Sequence, residues 1–511
     1  MTYRCLGLVT FCIVILLLNV AYAGNIIHVP ADQPTIQAGI NAATDGDTIL
    51  VSPGTYNENI NFNGKAITVK SSGGTSVTTI DGGGIAPVVT FDSNETSSSL
   101  LTGFTIQNGD ATNTYPDEGG GIQIEGGSPS IKGNIIQNSK ASNGGGGIGI
   151  GFASPLIQNN FIRNNKQTSG YSGGIGGGGI TVRGASSAQI IGNTIQSNNW
   201  NSASGGGISL FGAGAPLIKD NLIIGNSSNQ GGGISMFNEA DEIIVQNLIV
   251  ENSALEGAGI YSSVPQSSTG FRLLSNTIAN NNASAAVVAD GFNSNAQIIN
   301  NLIIAPAGQS ALVCNPNYKD GPPIVQFNDA FTPQGNSYDG MCTGFSGTNG
   351  NISTKPTFVG VHNYRLKGGS AGIDVGDNSA PGLPSTDYAG NPRIINGNDG
   401  ATAIVDIGAY EFNPVVLAPK SLGFGVQAVG SSTSKTAKLT NAQNKILNIS
   451  SISAPTGYAV SGCGSTVPAF TSCNLTVTFH PLGSGTFNGP MTVTDDAGTS
   501  PQSVSLSGKA Q

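Results

Sequence analysis

The sequence predicts an all-β protein: a parallel solenoid of about ten stacked turns, opened by a short cap helix and followed by a C-terminal β-sandwich. Three observations carry this. Asn134, Asn160, Asn193, Asn221, Asn247, Asn276 and Asn301 recur in steps of 26, 33, 28, 26, 29 and 25 residues, each two residues before an apolar one. A glycine series keeps the same period: Gly119-Gly120-Gly121-Ile122, then the triplets before Ile148, Ile180, Ile208 and Ile234, then Gly257-Ala258-Gly259-Ile260. Near the C-terminus the period drops to two, with Cys473, Leu475, Val477 and Phe479 alternating against Asn474, Thr476 and Thr478.

Composition agrees. Glycine supplies 75 of 511 residues without a three-residue period, so collagen is excluded. Charged residues make up only 10%, and the net charge is −9. No Lys/Arg cluster exists, so the chain lacks the electrostatic footprint of a nucleic-acid binder.

Taken in order, residues 1–23 read as a secretory signal peptide: Arg4, an apolar stretch from Leu6 to Val20, and the cleavage pattern Ala21-Tyr22-Ala23. No later segment has the apolar length of a membrane helix. Ile36, Ile40 and Ala43 follow Pro34-Thr35 at helical spacing, which predicts a short amphipathic helix over the open end of the core. From about residue 65 to 356 each unit reads as three short strands, such as Ile208-Ser209-Leu210, Ala215-Pro216-Leu217-Ile218 and Asn221-Leu222-Ile223-Ile224. Strands this short bury an apolar face only by stacking on their counterparts one turn away, about 4.8 Å off. The crossover is expected to be right-handed. Glycines supply positive φ at corners, and stacked asparagines, which tolerate the left-handed conformation, are expected to form a hydrogen-bonded ladder. Four cysteines remain after residue 23, and proximity pairs Cys314 with Cys342 and Cys463 with Cys473. Residues 413–419 read as a linker. The roughly 90 residues after it, with several turn signals, predict an immunoglobulin-like sandwich over 420–511.

These motifs resemble the right-handed parallel β-helix, or pectin-lyase-like, superfamily. The stretch from Thr48 to Glu58 is similar to the first turn of pectinesterase-like and NosD-like solenoids. The Gly-Gly-Gly-Ile and Asn-x-Ile-x-x-Asn marks resemble polymorphic outer-membrane protein repeats. Residues 370–412, with Ile373-Asp374-Val375-Gly376-Asp377, Asn391-Pro392-Arg393 and Asp406 to Glu411, resemble the choice-of-anchor Q segment that closes exported bacterial β-helices. Ser421 to Gly425, Thr478-Phe479-His480-Pro481 and Val504 to Gly508 resemble choice-of-anchor D or Hydin-like sandwich modules. The expected division is a β-helix over 24–369, its closing segment over 370–412, and the sandwich.

Chemistry is approached by elimination. The only histidines are His28, His362 and His480, so the regular turns hold no histidine triad or multi-histidine metal site. The glycine strings lack a following Gly-Lys-Ser/Thr, so they are not phosphate loops. Pectinesterase and polygalacturonase catalytic motifs are absent. An elimination reaction on uronate polymers needs a base and a cation. Arg163 and Arg183, with Lys132, Lys166 and Lys219, and the acids Asp110, Asp117, Glu118 and Glu125 are the raw material for it. The third residue past each Gly-Gly-Gly-Ile isoleucine is Glu125, Gly151, Arg183, Phe211 or Phe237. An outward strip of Arg183, Phe211 and Phe237 is therefore expected, extended by Tyr261 and flanked by loops carrying Tyr115, Tyr171 and Trp200. Aromatic faces at strand spacing suit sugar rings, so this is the expected polysaccharide-binding groove. The alternative is that loops cover the rings. The group Asp374, Asp377, Asp387, Arg393, Asp399, Asp406 and Glu411 reads as an arginine–carboxylate clasp closing the last turn, with Ca²⁺ as the alternative. The sequence thus predicts an exported or cell-surface binding or adhesion protein, the rival being a polysaccharide lyase. Whether it is catalytic stays open.

Overall fold

The computed structural model describes residues 24–114, 116–168, 176–200, 204–212, 214–238, 241–263, 270–291, 295–315, 321–398, 400 and 402–511, with Trp200 described for its backbone alone. Each turn of the coil contributes one strand to each of three long sheets. The first sheet has 12 strands, from Ile26–Val29 to Ile324–Gln326. The second has 11, from Gly54–Asn57 to Asp329–Phe331, and the third 11, from Ile60–Asn61 to Tyr338–Gly340. Neighbours pair in parallel and in register, as where Ile208 faces Ile234 and Leu210 faces Met236. A short fourth ribbon, unannounced in the sequence, links Asp110–Ala111, Lys140–Ala141, Lys166–Gln167 and Asn199–Trp200.

Inside the coil, like stacks on like. Ile122, Ile148, Ile180, Ile208, Ile234 and Ile260 form one fully buried column; Ile131, Ile157, Ile190, Ile218 and Ile244 form another. Each side chain so buried contributes about 1.5–3 kcal/mol. The glycine triplets let successive turns approach closely. A Cβ on Gly207 would meet the Gly233 carbonyl oxygen at 2.6 Å, and Gly205 turns the chain at φ +75°.

The asparagine ladder occupies the corner between the first and second sheets. Asn221 donates its backbone N–H and its Nδ2 to Oδ1 of Asn247, at 2.9 and 3.0 Å. Its Nδ2 also reaches the Ile190 carbonyl at 2.8 Å, and its Oδ1 accepts from Asn193 N and Nδ2. The ladder continues past Asn301 to Asn328 and Asn351. A second ladder, five residues along, joins Asn165, Asn198, Asn226, Asn252 and Asn281. One expectation is corrected. The left-handed conformation belongs to the residue before each ladder asparagine, as at Asn159 (φ +54°), Asp220 (+56°), Gln246 (+59°) and Asn300 (+59°). That residue turns the chain, and the asparagine after it serves as the buried bond-former.

The cap helix spans Ile36–Ala42 and buries Ile36 and Ile40. Thr35 Oγ1 accepts from Ala38 N, and the Glu58 carboxylate, from the first turn, accepts from the N–H groups of Ile36 and Gln37. At the other end, Cys314 is bonded to Cys342.

The segment from about 358 to 412 corrects a second expectation. It packs at the end of the coil, where Leu366, Ile373, Ile407 and Phe412 meet Leu302, Ile304 and Ile352, but it is not confined there. It runs back along the outside of the coil as a strap. Tyr364, Ala409 and Tyr410 pack on Leu222, Leu248, Val250 and Ala279. Ala380 and Leu383 pack on Leu217, Ile243, Val245, Leu274 and Ile299. Asn300 Oδ1 accepts from Asp377 N at 2.8 Å, and Thr277 Oγ1 accepts from Ala409 N at 2.9 Å. These outward coil positions are apolar because the strap covers them.

The C-terminal part is a sandwich of a four-stranded and a five-stranded sheet, antiparallel except where Ser421–Gln427 pairs in parallel with Gln502–Ala510. In Ser472–Phe479, Leu475, Val477 and Phe479 face its core. Cys463 is bonded to Cys473.

Candidate functional site

The third sheet places one residue per turn in a single outward row. Strand register runs Glu125, Gly151, Arg183, Phe211, Phe237, Ser263, Asp290 and Asn315. Arg183, Phe211 and Phe237 thus stand on three consecutive turns, each partly exposed. Tyr261 is not in this row. It faces Ser235 and Val288 in the neighbouring row and is largely buried, its ring 5.6 Å from that of Phe237.

Arg183 is held from the opposite direction. Its Nε lies 2.9 Å from Glu118 Oε2, and its Nη2 lies 2.5 Å from Glu125 Oε1. Glu125 is two turns away, and the turn between presents Gly151. A Cβ there would meet the Glu125 carboxylate at 2.3 Å and Arg183 Nη2 at 2.6 Å, so only glycine leaves the span open. Burial pushes the Glu118 carboxyl up to about 7, and Arg183 opposes this without cancelling it. Burial likewise raises Glu125. For Arg183 burial acts downward, but the two carboxylates overcome it and hold the guanidinium above its usual value. The two directions agree physically: Glu118 is 1% exposed, so desolvation dominates there, whereas Arg183 keeps contact with solvent.

Phe152 completes the strip, and sequence spacing alone missed it. It follows Gly151 with φ +49° and is 64% exposed. A left-handed, exposed phenylalanine is uncommon enough to suggest use. A Cβ on Gly184 would meet its ring at 2.5 Å, so the ring lies over the Arg183 turn. The Arg183 guanidinium carbon is 5.2 Å from the ring centroid. The signal was available: Gly151-Phe152 and Arg183-Gly184 are aligned neighbours. Tyr115, Tyr171 and the Trp200 side chain lie outside the described residues; the Trp200 backbone belongs to the short fourth ribbon, beside Gln167.

The residues considered for elimination chemistry are dispersed. Arg163 is on the second sheet, with Nε 2.9 Å from Gln137 Oε1. Lys132 and Lys219 are on the first sheet and Lys166 on the fourth ribbon. Asp110 is paired with Lys140 at 2.8 Å. Only Glu118 and Glu125 meet Arg183.

The acidic group near Arg393 is a knot within the strap, with Asp399 outside the described residues. Arg393 is 1% exposed; its Nη2 meets the Gly408 carbonyl at 2.5 Å and its Nε is 3.4 Å from Glu411 Oε1. The carboxylates are taken up by backbone N–H donors: Asp374 by Gly397 and Asn398, Asp406 by Asp374 and Phe412, Asp387 by Ala389, Asn391 and Glu411. Among the described residues no group of three or more His, Cys, Asp or Glu side chains is arranged to hold a metal ion. The clasp ties the strap to itself.

A three-sided coil of parallel strands defines a parallel β-helix protein. The family model described as "Right handed beta helix region" matches residues 54–263 and 173–319, together 266 of the 511 residues, and the chain belongs to this family. Residues 414–503 match the ASPM-SPD-2-Hydin (ASH) family model, so the sandwich is an immunoglobulin-like ASH domain. Neither match carries a choice-of-anchor name. Among solved structures, the chain is similar to the ASH/PapD-like domain 7 of human CEP192 (16% identity, 19% of this chain and 85% of that one, TM-score 0.17). It is similar also to a protein of unknown function from Porphyromonas gingivalis W83 (11%, 22% and 60%, 0.18) and to the VesB protease of Vibrio cholerae (14%, 24% and 42%, 0.17). No curated protein matches the chain.

Proposed function

We propose that this is an exported β-helix protein, at the cell surface or outside the cell, that binds polysaccharide along its third sheet. The observation that carries this reading is the strip of Phe211 and Phe237 on successive turns, continued by the exposed Phe152 ring that lies over the adjoining Arg183 turn. Contiguous exposed aromatics on a rigid sheet suit the apolar faces of successive sugar rings. The two disulfides and the signal-like residues 1–23 support export.

The test is retention on a panel of immobilised polysaccharides. Wild-type protein is expected to be retained by at least one, and the Phe211→Ala/Phe237→Ala variant to elute unretained while keeping its circular dichroism spectrum. Equal retention of the two removes the reading. A rival reading, elimination on uronate polymers, draws on the near-neutral carboxyl of Glu118 beside Arg183. Ultraviolet-absorbing unsaturated product after incubation with such polymers would favour the rival, and retention without product favours binding.

A further inference from the structure

Resting on the polysaccharide-binding reading above, we propose that the strip selects uncharged polysaccharides and rejects uronate-bearing ones. Arg183 stands in the aromatic row where an acidic sugar would need it. Its Nε is given to Glu118 and its Nη2 to Glu125, and the ring of Phe152 stands beside the guanidinium. A sugar carboxylate approaching Arg183 would meet a guanidinium already neutralised by two protein carboxylates, one of them buried, with Nε and Nη2 taken.

The rest of the row adds to this. Glu125 stands at one end of the aromatic run, and beyond Ser263 the row continues into Asp290. No lysine or second arginine stands in it from Glu125 to Asn315. The chain as a whole is at −9. A polyuronate would bring a dense line of like charge against this face, at a Coulombic cost that falls with salt but does not change sign. A neutral chain meets ring faces, an ion-paired guanidinium and small polar side chains without that cost. The ion pair then has a role in binding: it fixes the Arg183 stem and the Phe152 ring in place and removes the one positive charge from competition.

Affinity gel electrophoresis tests this with the full chain. Gels are cast with neutral polymers (hydroxyethylcellulose, galactomannan, laminarin) or with polygalacturonate or alginate. The expected result is retardation in one or more neutral gels, unchanged by added salt, and none in uronate gels. Phe211→Ala/Phe237→Ala, or Phe152→Ala at an exposed site where folding is not at risk, should weaken retardation about ten-fold, which is the size expected for losing aromatic contacts. Glu125→Gln, which frees part of the guanidinium, should gain weak, salt-sensitive retardation by polyuronate that the wild type lacks. Salt-sensitive retardation of the wild type in uronate gels alone overturns this inference and leaves the polysaccharide reading standing. No retardation in any gel overturns both.

Discussion

Arg183 Nε and Glu118 Oε2 meet at 2.9 Å although 65 residues separate them in the chain. The coil brings them together, and the pairing joins the outward row of the third sheet to the turn that precedes that sheet two rungs earlier.

The pair has a pH signature. Glu118 has a folded-state pKa of about 7 against 4.5 for the free side chain, because burial disfavours the charged form. Between these values the folded state binds more protons than the unfolded one, so stability falls as pH rises through the window. Below about 4.5 the contribution is fully present; above about 7 it is gone, a loss on the order of 3 kcal/mol. Glu118→Gln should flatten that part of the curve: its urea midpoint should gain on wild type as pH rises from 5 to 8. Parallel curves for the two proteins would show that Glu118 is not desolvated.

The asparagine ladder should be expensive to interrupt in mid-run. Asn221→Ala takes the acceptor from the Asn193 N–H and removes the Nδ2 donor to Asn247 Oδ1 and to the Ile190 carbonyl, in a buried corner; Asn193 Nδ2 keeps the Ile157 and Ile191 carbonyls, and Asn247 Oδ1 keeps the backbone N–H of residue 221. A loss of about 2–4 kcal/mol is expected, one stranded buried N–H plus the lost side-chain bonds. Chemical denaturation measures it. A loss below about 1 kcal/mol would mean that water reaches the corner.

The glycine triplets predict a contrast. Gly207→Ala puts a Cβ against a backbone carbonyl at 2.6 Å that nothing can move without parting two turns. Gly483→Ala, with open space around it, should change little. Thermal melts should show a strong fall in Tm for the first and a shift within error for the second.

The strap should detach in steps. Tyr410 packs on the coil flank, and Arg365 stacks on its ring, the guanidinium carbon 4.4 Å from the centroid. Tyr410→Ala should cost about 3 kcal/mol or more locally, as expected for truncating a large buried side chain. Limited proteolysis should then cut first between residues 358 and 412 while the coil core resists. Uniform cleavage throughout would show that strap and coil unfold as one unit.

Most of the coil was legible because its physics repeats. A residue that must stack on its own kind, such as Asn221 or Ile208, recurs at the rung period and announces the strand, the corner and the register together. The cap helix was legible from Ile36 and Ile40, and the disulfide pairs from separations of 28 and 10 residues. The strap was misplaced because its contacts join residues such as Asn300 and Asp377, 77 apart and outside any period. A signal did exist: outward positions that hold Gln137 and Arg163 early in the second sheet hold Ile224 and Val250 later. Phe152 was missed because it sits one residue beyond the aligned row. The Glu125–Arg183 contact was missed because it depends on the absence of a side chain at Gly151, which spacing arguments pass over.

The central claim is that residues 125 to 315 of the outward row climb one turn at a time along a parallel coil. Spin labels at Glu125→Cys and Asn315→Cys, seven register steps apart, test it by pulsed dipolar spectroscopy. At a strand spacing of about 4.8 Å the account predicts a single narrow distance near 34 Å, before allowance for the label arms. A distance below about 20 Å, or a broad featureless distribution, would contradict it.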